Sequence, residues 1–249
     1  QGNFIATWLA GTVRESDLND LTVTGDGRVC VVDGWRARVR CYTVDGQLRM
    51  ERGLPGYGDG QLVMPADLAV TPDGTLNVVD YARNGLQRFA RVTEFGRARL
   101  AGDSQLVTSF GLGQFDRPGA LAVGQDGSLY VADGLSRIQR FRADGLFLGT
   151  WGARGYRDGE GQFGEIGGLA VAPDGTLYAM DRLRVQHFDA TGRFLGQWEL
   201  ADAADPDLGL AYIAVAPDGT LYIAGGTTVR HYRPDGQLLA VWGGMGTAL

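Results

Sequence analysis

The fold is decided by one stretch of the sequence, Leu121-Ala122-Val123-Gly124-Gln125-Asp126-Gly127-Ser128-Leu129-Tyr130-Val131-Ala132-Asp133. The stretch holds two short runs in which side chains alternate between the two faces of an extended chain, and an Asp-Gly pair separates them. Period-two alternation is typical of a half-buried β-strand, and Asp-Gly between two such runs is a strong hairpin signal. The stretch therefore predicts two antiparallel strands joined by a tight turn.

The same pattern recurs along the whole chain. Its Asp-Gly pairs begin at Asp26, Asp73, Asp126, Asp174 and Asp218. Two further alternating runs follow each hairpin, so that every repeat supplies four short strands. A repeat of this size with four antiparallel strands is a β-propeller blade, and the sequence predicts an all-β fold. The predicted blades cover approximately residues 18–53, 65–111, 118–152, 166–199 and 210–243 of one propeller domain spanning 1–249.

One run stands outside these five blades. Residues 2–8 resemble the fourth strand of a blade, because Gly2-Asn3-Phe4 and Thr7-Trp8 match the run that ends at Trp151. The sequence thus predicts five complete blades and one orphan outer strand. Two arrangements follow: the blades are part of a six-bladed ring, which we favour, or five blades form the ring and the orphan strand is an added edge, which invites pairing.

The repeats resemble the NHL family of propellers. Gly113-Gln114-Phe115 leads to Pro118, and the strands Tyr130–Asp133 and Arg137–Phe141 follow, as in the NHL motif. The resemblance covers essentially the whole chain, and it implies a propeller that uses one face to bind partners or substrate. It implies no single activity, because one fold hosts many functions.

Composition excludes several classes of protein. The chain has a net charge of −6, which argues against RNA or DNA as a partner, because nucleic-acid binders usually carry a basic surface. No run of 18 apolar residues is present, so no direct insertion into a membrane is expected. The 40 glycines are explained by the many tight turns that the blades require.

The two cysteines occupy facing positions of blade 1. If the hairpin is centred near Trp35 and Arg36, Cys30 and Cys41 lie opposite each other on neighbouring strands, within reach of a disulfide. Two buried free thiols are the alternative. A disulfide favours an extracytoplasmic location, which is periplasmic, secreted or surface-exposed.

Several carboxylates and histidines are candidate metal ligands. Asp20 and Asp67 each precede the innermost strand of a blade, at the predicted channel mouth, where two carboxylates can hold a cation. His187 and His231 share one repeat column, which places them on different blades. Asp33, Asp80, Asp133 and Asp181 end second strands, where Asp commonly binds turn amides. The sequence therefore predicts no metal site and no cofactor.

One face of the predicted propeller is rich in Tyr, Trp and Arg, which are enriched at protein interfaces. Its residues are Trp35, Arg36, Tyr57, Tyr81, Arg83, Tyr156, Arg157, Arg182 and Tyr212. Because no set of catalytic side chains converges in the sequence, it predicts a non-catalytic module or scaffold subunit that binds protein partners, within a larger complex. The alternative is a metal-dependent lyase or lactonase-like hydrolase of the propeller type. RNA binding is the third hypothesis, and the net charge opposes it.

Overall fold

The computed structural model describes residues 18–89, 106–111, 114–155, 159–181, 184–200 and 212–243. These residues form strands and turns, and no helix occurs among them. Within them, nothing helical has the length and hydropathy needed to span a membrane. The predicted orphan strand at 2–8 lies outside the described residues.

Twenty strands form five four-stranded sheets, one after another along the chain. Blade 1 holds β1 (Leu18–Val23), β2 (Val29–Asp33), β3 (Arg38–Tyr42) and β4 (Leu48–Arg52). Blade 2 holds β5 (Pro65–Val70), β6 (Leu76–Asp80), β7 (Gly85–Phe89) and β8 (Leu106–Phe110). Blade 3 holds β9 (Ala120–Val123), β10 (Leu129–Asp133), β11 (Arg137–Phe141) and β12 (Phe147–Trp151).

The short strands β13 (Ala153–Arg154) and β14 (Gln162–Phe163) follow and pair in parallel. Blade 4 holds β15 (Ile166–Val171), β16 (Leu177–Asp181), β17 (Arg184–Phe188) and β18 (Phe194–Glu199). Blade 5 holds β19 (Tyr212–Val215), β20 (Leu221–Gly225), β21 (Thr228–Tyr232) and β22 (Leu238–Gly243). The predicted all-β propeller of four-stranded antiparallel blades is confirmed, whereas the parallel pair β13–β14 was not predicted.

The chain divides into two compact units. Unit 1 is Gln1–Leu121 with Ala143–Gly145, and unit 2 is Ala122–Arg142 with Leu146–Leu249. In unit 1, blades 1 and 2 share one buried apolar cluster, which includes Val39 and Leu68. In unit 2, blades 4 and 5 share another, which includes Val185 and Ile213. Burying each such side chain contributes about 1.5–3 kcal/mol, so the packing of one blade on the next stabilises each unit.

Cys30 and Cys41 are joined by a disulfide in the structure. They are directly opposite residues of the β2–β3 ladder, and both side chains are fully buried. Their Cα atoms are 3.9 Å apart, and 11 residues separate them along the chain. The bond therefore fixes the hairpin within blade 1.

Reduction of this disulfide is expected to lower the free energy of unfolding by about 3 kcal/mol, because a cross-link over a short loop restricts the unfolded chain by that amount. Denaturant unfolding with and without a reductant measures the effect. The double variant Cys30→Ala/Cys41→Ala is the control, since its unfolding midpoint should not respond to the reductant. An equal midpoint for the native protein under both conditions would contradict the expectation.

The aspartates that end the second strands have the structural role predicted for them. Asp80 is fully buried and accepts hydrogen bonds from the backbone N–H groups of Val63 (2.7 Å), Met64 (3.1 Å), Ala82 (3.2 Å) and Arg83 (3.2 Å). Each such carboxylate satisfies amides of a turn that would otherwise be buried without a partner. The equivalent bonds are those of Asp33 to Arg36, Asp133 to Leu135, and Asp181 to Gly164 and Glu165.

Candidate functional site

Most of the predicted site residues lie in loops at one end of unit 1. The first strands start at this end and the second strands finish there, since Leu18 pairs with Asp33 in blade 1 and Pro65 pairs with Asp80 in blade 2. The turns 34–37 and 81–84 and the loop 53–64 therefore lie at the same end. We call it the loop face of unit 1.

Asp20 and Asp67 meet at this face. Each lies inside a first strand, at a β-bulge that follows Leu18 in β1 and Pro65 in β5, rather than before the strand as the sequence predicted. The two carboxyl groups share one donor, because the N–H of Leu68 donates to Asp20 Oδ2 (3.2 Å) and to Asp67 Oδ1 (2.6 Å). Asp67 Oδ2 also accepts from the N–H of Leu121 (2.7 Å).

This arrangement raises the pKa of the Asp67 carboxyl. Burial raises the pKa of the Asp67 carboxyl well above its ordinary value, and the hydrogen bond and negative charge of Asp20 raise it further. The N–H groups of Leu121 and Leu68 act in the opposite direction but do not cancel the effect. Two neighbouring carboxyls disfavour a second negative charge, so Asp67 keeps its proton to a higher pH than an ordinary aspartate.

Asn19 holds the two strands of the pair together. Its side-chain Nδ2 donates to the carbonyl oxygen of Pro65 (2.8 Å), which joins the residue before Asp20 to the start of β5. The neighbouring turn leaves space for this amide, since a Cβ at Gly34 would overlap the Asn19 side chain. The Ala66 side chain at the same repeat position of blade 2 has no group that donates, so this link is particular to blade 1.

Asn19→Ala is expected to lower the pKa of Asp67, because loss of the Pro65 bond lets the two carboxyls separate. Titration of the aspartate side-chain carboxyls by carbon NMR measures the shift. Asn84→Gly is the matched control: it removes another side-chain bond of this face, and the positive φ of Asn84 suits glycine. An Asp67 pKa that is the same in Asn19→Ala and the native protein would refute the positioning role.

Three aromatic side chains on the loop face are exposed or partly exposed. Trp35 is 81% exposed and Tyr57 is 72% exposed, and Tyr81 is partly exposed at 37%. The turn of Trp35 adjoins the loop of Tyr57, because Ala37, Gly53 and Leu62 are in close contact. The sequence singled out these three aromatic residues, and the structure brings their loops to one face.

The arginines of this face are already paired. Arg36 donates to Asp33 Oδ2 (3.1 Å), and Arg83 donates to the carbonyl oxygen of Gly58 (2.8 Å). Arg117, which the sequence analysis did not single out, binds Asp116 and Tyr81, and these bonds raise its pKa. Arg36 and Arg117 thus form ion pairs with Asp33 and Asp116, whereas Arg83 binds backbone carbonyl oxygens.

The predicted face has one further residue in the described part of the chain, Tyr212. Tyr212 begins β19 in unit 2, is 51% exposed, and lines a groove of blade 5. Tyr156, Arg157 and Arg182 lie outside the described residues.

The donor atoms of these residues do not suit a metal ion. Across the described ranges, no three residues among His, Cys, Asp and Glu come close enough to bind one ion. Asp20 and Asp67 accept from backbone amides, and these two carboxyl groups fall short of the six to eight oxygen ligands that Ca²⁺ takes. His187 and His231 each lie against a tyrosine, Tyr178 and Tyr222. These residues do not form a divalent-metal site.

Several solved structures share this fold. A virginiamycin B lyase from Staphylococcus aureus matches with a TM-score of 0.61 and 15% identity, over 95% of this chain and 73% of its own. A streptogramin B lyase matches with a TM-score of 0.63 and 14% identity, over 95% and 72%. A gluconolactonase from Xanthomonas campestris matches with a TM-score of 0.59 and 22% identity, over 89% and 73%. No protein-family model matches the chain, and no curated protein does.

These likenesses support the propeller fold and correct one expectation. The sequence predicted a non-catalytic binding module or scaffold, and that prediction is wrong, because the similar propellers are enzymes that include two lyases and a lactonase. The prediction rested on the face rich in Tyr, Trp and Arg and on the absence of a converging catalytic set. It considered Asp20 and Asp67 only as ligands of a cation, because the pKa of Asp67 depends on the contact of β1 with β5.

Proposed function

We propose that this protein is an enzyme of the propeller lyase and lactonase class, which opens a cyclic ester at the loop face of unit 1. The observation that carries the proposal is the pair of Asp20 and Asp67, whose carboxyl groups share the N–H of Leu68 and in which burial and the neighbouring Asp20 raise the pKa of Asp67. Such a pair offers a general base and a general acid in one place. The lyase and lactonase names of the similar structures agree with this chemistry.

Ring opening by hydrolysis would use both carboxyls. The Asp20 carboxylate takes a proton from a water molecule, and the water oxygen bonds to the carbonyl carbon of the ester. The ring C–O bond then breaks, and the leaving oxygen takes the proton of Asp67. Asp20 is now protonated and Asp67 ionised, and transfer of the proton from Asp20 to Asp67 restores the pair. One ester and one water give one hydroxy acid.

The aromatic residues of the loop face would hold the rest of the substrate. Trp35 and Tyr57 present wide apolar surfaces to solvent, and aromatic faces bind apolar groups and rings. Protein binding at this face stays a prediction, and it is compatible with a substrate site.

A panel of cyclic esters tests this proposal. The protein is incubated with simple lactones, gluconolactone and a streptogramin B depsipeptide. Mass spectrometry then gives the masses of the products. Hydrolysis adds the mass of one water, whereas elimination leaves the mass unchanged, so the panel separates a hydrolase from a lyase. The proposal fails if none of these esters is opened, or if Asp67→Asn opens them as fast as the native protein.

We also infer that the blades are of the NHL type, on the strength of the Gly-Gln-Phe lead at 113–115 and the strands that follow it. A sequence profile built from homologues of this chain tests the inference. It should match the NHL family, and a match to a different propeller family would overturn it.

An extracytoplasmic location is a further proposal. The buried disulfide Cys30–Cys41 supports it, because such bonds persist in oxidising compartments. Thiol alkylation of the protein taken from its native cells tests the location. Two protected cysteines are expected, and two alkylated cysteines would contradict it.

A further inference from the structure

Strand β12 forms the outer edge of blade 3. It pairs with β11 on one side, and no strand within the described ranges pairs with its other side. Alternate residues of such an edge direct their backbone N–H and C=O groups outward, where a further strand can bind them. The structure describes the chain without a gap from 114 to 155, so the segments before and after β12 both belong to it.

Three consecutive apolar side chains are exposed at the start of this edge. Leu146, which directly precedes β12, is 52% exposed, and Phe147 and Leu148 are each 46% exposed. Because neighbouring side chains of a strand point to opposite faces, the edge is apolar and open to solvent on both faces. Natural edge strands often carry charges that prevent pairing with another chain, but no charged residue occurs from 145 to 153.

The fourth strands of blades 1 and 4 do carry such charges. Three of the five residues of β4 are charged. In blade 4, Arg193 and Glu199 stand at the repeat positions of Leu146 and Gly152, and the side chain of Arg193 is 74% exposed. The edge of blade 3 therefore lacks the charges with which the same chain protects these two blades.

Gly149 leaves space in the middle of β12. Within the described part of the chain, no heavy atom beyond its chain neighbours lies within 4 Å of the place that a Cβ would take. At Gly196, its counterpart in β18, a Cβ would meet the ring of His187 at 2.8 Å. Because glycine inside a strand often marks a place where another backbone approaches closely, the centre of β12 is accessible to a neighbouring strand.

We propose that β12 pairs antiparallel with β12 of a second copy of this chain, so that two blades join into one sheet across a two-fold axis. A two-fold interface brings the same surface of both copies together, so it suits a surface that is complementary to itself. With Phe147 on the axis, Leu146 of each copy lies opposite Leu148 of the other. The three exposed apolar residues of one copy then cover those of the other.

The charged residues that precede β12 permit this register. Asp144 of one copy falls opposite Thr150 of the other, and Arg142 falls opposite Gly152. No two like charges are therefore opposed along the strand pair. A strand with charged residues would have to bury them against Phe147 and the two leucines, which is unfavourable, so a second uncharged β12 is the better partner.

The proposed interface is small. One strand pair with three apolar side chains from each copy falls short of the roughly 1,200 Å² of a standard stable interface, so we expect a weak dimer with a Kd of about 1–100 µM. β12 lies in unit 2, whereas Asp20 and Asp67 lie in unit 1. The proposal therefore does not depend on the activity proposed for the acid pair.

Sedimentation velocity of the whole 249-residue protein at about 1–200 µM measures the association. The weight-average sedimentation coefficient is expected to rise from the monomer value towards the dimer value as the concentration increases. Amide hydrogen exchange at both ends of this range locates the interface without any variant. The backbone amides of β12 should exchange more slowly at the high concentration, whereas those of β4 should exchange at the same rate.

A variant copied from blade 4 tests the edge itself. Leu146→Arg introduces the residue that stands at the same position of blade 4, so the blade should still fold. It should weaken the dimer about tenfold or more, because it places a charge against apolar side chains. Leu195→Arg is the matched control: Leu195 is the counterpart of Leu148 in β18 and is 42% exposed, and its replacement should leave the association unchanged.

Three results would each overturn the proposal. The first is a protein that stays monomeric up to about 200 µM. The second is a Leu146→Arg variant that associates as strongly as the native protein. The third is an association in which the exchange of the β12 amides does not slow.

Discussion

Asp67→Asn is expected to open a cyclic ester about 10²–10⁴-fold more slowly than the native protein, which is the usual effect of removing a general acid. The amide keeps an oxygen that accepts from the Leu121 N–H group, but it cannot give a proton to the leaving oxygen. Steady-state rates for the best substrate of the panel measure the loss. Asp59→Asn, at an exposed carboxyl in the loop of Tyr57, is the control and should keep the native rate.

Stability separates loss of the acid from loss of the fold. Because the pKa of Asp67 is raised in the folded protein, its contribution to stability is fully present below the unfolded pKa and is lost as the pH rises through the folded pKa. The amide of Asn does not titrate. As the pH rises through the folded pKa of Asp67, the stability of Asp67→Asn should therefore fall less than that of the native protein. Melting temperatures from pH 4 to 8 measure the difference. A variant that is inactive and also unfolded at pH 7 would leave the acid role unsupported and count against the prediction.

Asp80→Ala is expected to lower the free energy of unfolding by about 3 kcal/mol or more. The substitution removes the acceptor of four backbone N–H groups at a fully buried position, and each buried donor left without a partner costs about 1–3 kcal/mol. The affected amides lie in the loop before β5 and in the β6–β7 turn. The contact between these two segments should therefore be lost first.

Denaturant unfolding and amide hydrogen exchange measure this effect. The exchange of Val63 and Met64 should accelerate more than that of blade 5. Asp235→Ala is the control, because Asp235 lies in an exposed turn and accepts from the N–H group of Gln237. A loss of stability no larger than that of Asp235→Ala would show that the carboxylate of Asp80 has no special role.

The sequence predicted those features that a single repeat contains. The register of one hairpin already places Cys30 opposite Cys41. The role of Asp80 in binding turn amides follows from its place at the end of a strand. The raised pKa of Asp67 does not follow from one repeat, because it depends on burial and on Asp20, which lies 47 residues away on another blade.

The bulges of the first strands give the fold a way to add links between blades. The same register shift that places Asp20 in β1 and Asp67 in β5 occurs in β15, where the residue is Gly168. In the first two blades, the bulge carboxyl accepts from an N–H group of the next first strand. The bulge is thus a modular position for protein design: a carboxyl can be gained or removed there, one blade at a time, while the strand ladder that surrounds it is kept.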